Sequence, residues 1–170
     1  NTVYVPGEAD FNESLATFIG RTGAIRFLEQ YFPDRPEIVE QARRRFEDEQ
    51  RFCEFISRLY DTMAAYYAQP MSLQQKLAGR GKVFREVVEQ FVSGQLPQFH
   101  DPDAYAWVAD VQVNNAWILA YYRYNLDLDL FEAVYRAAGQ DLRASMDVFR
   151  EAGRAADPKR YLEQYLADRS

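Results

Sequence analysis

Glu13 is the side chain whose setting most invites chemistry. Advancing about 100° per residue from Phe11 along a helix over 10–32 puts Glu13 nearly opposite it. Around Glu13 on that side fall Ala16, Thr17, Gly20, Gly23, Ala24 and Phe27. A solvated face would carry Lys, Arg and Glu. This one is small and mostly uncharged, so another helix or a backbone can approach it closely. Glycine inside a helix costs about 1 kcal/mol against Ala, and close packing is the usual compensation. Both faces of this helix therefore read as buried, with Glu13 in its first turn. A carboxylate there is either an acid favoured by the helix dipole or a group poised to meet something cationic. The remaining reactive types are sparse. His100 is the one His, and a self-contained site needing two or three imidazoles is excluded. Cys53 is the one Cys, which rules out an internal disulfide framework. It falls on an apolar stripe and reads as inert core. Arg43-Arg44-Arg45 with Glu47-Asp48-Glu49 reads as a solvated face laced by i,i+4 ion pairs.

The elements that position these residues are helical throughout. Phe11, Leu15, Phe18, Thr22, Ile25 and Phe32 recur at helical spacing, and Pro33-Asp34-Arg35-Pro36 ends that run. Asp34 and Glu37 form a capping-box pattern opening a second helix that reaches about Gln69, before Pro70. Ser72 with Gln75 caps a third, running to about Ser93, with Gly79 and Gly81 marking a place for a kink. Residues 95–103 read as a loop. Helices follow at about 113–124, from Asp127 or Asp129 to Gly139, from Asp141 to near Gly153, and from Asp157-Pro158 onward. Thr2–Val5 carries the one strand signal. The expected fold is all-α, a single bundle over 1–170 with a long antiparallel hairpin formed by 35–69 and 72–93.

Composition narrows the function classes. The chain has 170 residues, 48% hydrophobic and 15% aromatic, enough for a substantial core. Its net charge of -6 disfavours a general nucleic-acid binder, which needs a cationic surface to release counterions. No run approaches the length of a membrane span, and no signal peptide is visible. The chain opens in Val-Tyr-Val without a Met and reads as a piece of a longer protein.

Val3–Phe18, Val-Tyr-Val-Pro-Gly-Glu-Ala-Asp-Phe-Asn-Glu-Ser-Leu-Ala-Thr-Phe, resembles a bacterial family of predicted zinc aminopeptidases. There, a His-Glu-x-x-His helix is followed closely by a segment of this type. Tyr66–Lys76 is similar to the family's turn between two long helices, and Asn114-Asn115-Ala116 with Tyr124 to a later element. The resemblance implies the C-terminal part of a gluzincin-like metallopeptidase that hydrolyses an N-terminal peptide bond with zinc-activated water. Glu13 would be the third zinc ligand. Asn12, Asn114 and Asn115 would touch the peptide substrate, and Tyr124 would donate to the oxyanion. Asn114 and Asn115 read equally as N-cap residues, Tyr124 as a buried hydrogen-bonded tyrosine, and Glu8 and Asp10 as turn and cap residues or as partners of the substrate amine. The His-Glu-x-x-His pair is absent from this chain, its expected place being just before Asn1. Thr17 stands where some gluzincins carry a His-orienting Asp. The chain alone is therefore expected to be inactive and to hold no zinc, and its uncovered first-helix face to favour self-association. The resemblance points to the bacterial cell envelope. The alternative class is a non-catalytic helical interaction or ligand-binding domain using its aromatic surface.

Overall fold

Seven α-helices punctuate the structure, a computed structural model that describes residues 3–122 and 127–169. They are α1 (Ala9–Tyr31), α2 (Pro36–Ala68), α3 (Leu73–Gln90), α4 (Asn115–Tyr122), α5 (Leu128–Ala137), α6 (Leu142–Ala152) and α7 (Pro158–Ala167). No strand occurs among the described residues, so the all-α class holds. The strand signal at Val3–Val5 ends instead in a turn before α1. The chain divides into two compact units, one of residues 1–36 and 123–170, the other of residues 37–122.

The second unit is built on the α2–α3 hairpin. Its stripe of Phe52, Cys53, Ile56, Leu59 and Met63 is buried as its spacing predicts, joined by Phe55. Phe55 stacks on Phe91 at 4.1 Å, while at the other end Tyr66 Oη donates to the carbonyls of Gln75 and Lys76. These contacts fix the antiparallel pairing. Ser72 and Gln75 form the expected capping box. The two glycines produce no break: α3 is continuous through both. Gly79 is there for space, because a Cβ on it would collide with Tyr66 Oη.

The third helix does not simply stop near Ser93. It widens into a π turn over Phe91–Gln95, then tightens into 3-10 turns over Leu96–Gln98 and Pro102–Ala109 where a loop was expected. Pro97 has no N–H to donate and crowds the carbonyl four residues back, so the regular ladder cannot continue. What holds this stretch is Asp48, which is buried rather than part of the solvated charge run. Its Oδ1 accepts from His100 N at 2.8 Å and Arg51 Nη1 at 2.9 Å, and its Oδ2 accepts from Asp101 N at 2.8 Å. The neighbouring pairs Arg44–Glu40 and Arg45–Glu49 are solvated as expected. Phe52 then meets the rings of Tyr105, Trp107, Trp117 and Tyr121. Burial, and then the carboxylates of Glu49 and Asp48, push the Tyr105 hydroxyl up to about 12, so it stays neutral.

The first unit packs α1 against α5 and α6, with α7 in turn packed on α5 and α6. Phe131 of α5 lies 5.4 Å from Phe11, 6.0 Å from Phe18 and 5.6 Å from Phe149, mostly edge to face. Val134, Leu15, Ala152 and Leu162 fill the remaining space. Asp141 and Asp157 cap α6 and α7 as predicted. Gly139, at φ +73°, ends α5 in a Schellman turn, with Gln140 N donating to Tyr135 O and Gly139 N to Arg136 O. Asp127 occupies the N-cap of α5 as expected, but in an unusual way. It is left-handed, makes no side-chain cap bond, and pairs across with Lys159 at 2.5 Å.

Two measurements check these placements. Gly79→Ala should destabilise the protein by about 1 kcal/mol, although Ala is the better helix former. In a Tyr66→Phe background, where the obstructing hydroxyl is gone, the same change should become stabilising; urea denaturation of both pairs reads the reversal. Asp48→Asn should lower unfolding stability by about 3 kcal/mol, since it weakens three charge-assisted bonds at once. A loss below about 0.5 kcal/mol, within the range of ordinary surface changes, would show that the carboxylate does not anchor the 99–101 segment.

Candidate functional site

The entry to α1 is shaped by Pro6-Gly7. Glu8 N donates to Val5 O at 3.2 Å and Gly7 takes φ +88°, which makes a type II turn with Pro and Gly at its two central positions. Asn12, one turn into the helix, reaches back to the same residue. Its Oδ1 accepts from Val5 N at 2.9 Å and its Nδ2 donates to Val5 O at 2.8 Å. Val3 lies against Gly153, the C-cap of α6, where an added Cβ would sit 3.1 Å from Val3 Cγ1. The far half of α1 is tied down by Arg26, whose Nε donates to Tyr135 Oη at 2.9 Å and whose Nη2 donates to Gln140 O at 3.2 Å.

Between these two anchors α1 buries Phe11, Ser14, Leu15 and Phe18. The opposite face, expected to be covered, is open. Glu13, Ala16, Gly20, Ala24 and Phe27 are exposed, and nothing lies within 4 Å of where a Cβ on Gly20 would be. Gly23 alone of the small residues turns inward, toward Leu142. The face ends in Phe27 and Tyr31, whose rings are 4.7 Å apart and both largely exposed. Glu13 thus stands at the head of an uncharged shelf about 20 Å long. Since α1 begins at Ala9, Glu13 lies past the first turn, where the helix dipole has largely faded. The dipole does not explain an acid at this position. Its carboxylate makes no hydrogen bond or ion pair among the described residues. Its backbone carbonyl accepts from Thr17 Oγ1 at 2.9 Å, which engages Thr17 locally. Glu8 occupies the N-cap without a side-chain cap bond, and Asp10 lies in the first turn.

In the second unit, Asn114 is the N-cap of α4: its Oδ1 accepts from Trp117 N at 3.0 Å. Asn115 is exposed, and its Oδ1 accepts from Tyr67 Oη at 3.2 Å. Tyr124 lies outside the described residues. His100 Nε2 lies 2.7 Å from Glu47 Oε2, so the one imidazole is engaged in a hydrogen-bond contact with a carboxylate. Cys53 is buried in the core. Among the described residues no three His, Cys, Asp or Glu side chains come together in a way that would hold a metal ion. Glu13 fits a metal as a single carboxylate donor, exposed and unengaged among the described residues. The sequence pattern finds Glu13 through its uncharged surroundings. It does not reveal that Asn12 grips Val5, although the Pro-Gly turn between them is a local signal for a reversal.

No curated protein and no solved structure matches the chain. A family model does, over residues 1–163, and its description is "Putative aminopeptidase". That span takes in the Pro-Gly turn, Glu13 with its open shelf, and the hairpin, so the chain belongs to this aminopeptidase family.

Proposed function

We propose that the chain contributes Glu13 as one of three protein ligands to a catalytic zinc ion in an aminopeptidase that cleaves N-terminal residues from peptides. The observation that carries this is the Glu13 carboxylate, exposed and without a partner among the described residues, on a firmly anchored helix beside a face made of Ala16, Gly20 and Ala24. Side chains that small let a second helix come close enough for its own ligands to share a metal with Glu13. The remaining ligands would be the two His of a His-Glu-x-x-His helix preceding this chain, which would also cover the open face. Zinc held by Glu13 and those His would supply a Lewis acid for a water and for the scissile carbonyl. Left uncovered, the shelf of α1 favours self-association.

In the intact protein, Glu13→Gln should lower zinc affinity and turnover by on the order of 100-fold or more, because an amide is a far weaker zinc donor than a carboxylate. Metal content after dialysis and release from aminoacyl reporters measure both. Residues 1–170 alone should retain no stoichiometric zinc and release no amino acid. Zinc-dependent turnover by that fragment, or full activity of the Glu13→Gln protein, would contradict the proposal.

A further inference from the structure

Asn12 directs both ends of its side-chain amide to a single residue. It donates to the Val5 carbonyl and accepts from the Val5 N–H, at 2.8 and 2.9 Å. This is the two-point pattern that a neighbouring β-strand would offer, supplied by one side chain. Val5 is 8% exposed, so without it an N–H and a carbonyl near the core would lose a partner. Asn suits the position chemically. Asp lacks the donor, Ser has one polar atom where two are needed, and Gln is a methylene longer. The segment so gripped is short, and held at both ends. Val3 packs on Gly153 at one end, and the Pro6-Gly7 turn leads into α1 at the other.

We propose that Asn12 is a positioning residue for the metal site. It fixes the angle at which the segment before α1 meets the helix that carries Glu13. This rests on Glu13 being a zinc ligand. If the other ligands arrive through the chain preceding Val3, the orientation of residues 3–8 against α1 sets their distance from Glu13. Glu13 itself is held independently by the burial of Phe11, Leu15 and Phe18. Loosening the grip therefore misaligns the ligands without moving the carboxylate or unfolding the unit. It acts on the metal and on the chemical step, and leaves substrate binding largely alone.

The test compares wild type, Asn12→Ala, Asn12→Asp and Glu13→Gln in the intact protein. It reads hydrogen exchange at the Val5 amide in metal-free protein, zinc affinity, and kcat and KM separately. Asn12→Ala should speed Val5 exchange by about tenfold or more. It should lower zinc affinity and kcat by about 10–100-fold, the usual cost of removing a residue that orients ligands, with KM within about twofold. Asn12→Asp, which keeps the acceptor but sets a charged oxygen against the Val5 carbonyl, should act in the same direction and decides the matter if Asn12→Ala does not fold. Faster exchange with zinc affinity and kcat unchanged overturns the proposal, as does unchanged exchange. Global unfolding of both variants also overturns it, since Asn12 would then support the whole unit. Unchanged zinc affinity in Glu13→Gln overturns the assignment of Glu13 instead, whatever the Asn12 variants do.

Discussion

Phe131 touches the rings of Phe11, Phe18 and Phe149, and the first unit depends on that cluster. Each edge-to-face pair adds about 0.5–1.5 kcal/mol beyond burial. More important is direction. Phe11 and Phe18 lie seven residues apart on α1, so burying both fixes the rotation of the helix about its own axis. Once that rotation is set, Glu13, Ala16, Gly20 and Ala24 face outward. The presentation of the carboxylate is thus a consequence of where the phenylalanines point. Arg26 and Asn12 add hydrogen bonds at either end of the same helix, which resist sliding and fraying.

Most of the fold was legible because it was written in local code. The capping box at Ser72, the Asp caps at Asp141 and Asp157, the Gly139 ending and the Pro70 reversal each involve residues only a few positions apart. Helical spacing selected Phe11, Leu15 and Phe18 for burial, whereas Phe32 at the end of the same run is exposed. The family resemblance implied a metal-ligand role for Glu13, and the spacing showed why its surroundings are unusual.

What escaped the sequence is long-range. Asp48 sits in a run of charges that looks solvated, and its burial follows from backbone donors about fifty residues away. Gly79 looks like a weak point until Tyr66, thirteen residues back, is seen to need its space. Asp127 looks like a cap, yet Lys159 draws its carboxylate away. The second face of α1 was taken for buried because small residues usually mark contact. In the structure that face is exposed. Asn12 differs from the others: the signal was within seven residues, but hydrogen bonding by one amide to both sides of a backbone unit leaves no periodicity to detect.

Diffraction from the zinc-loaded intact protein, with anomalous data at the zinc edge, tests the central claim most directly. The account predicts a Glu13 carboxylate oxygen about 2.0–2.2 Å from the metal, with the Ala16–Ala24 face of α1 covered by the segment that brings the other ligands. A zinc ion fully coordinated by other residues, with Glu13 left in solvent, would contradict it.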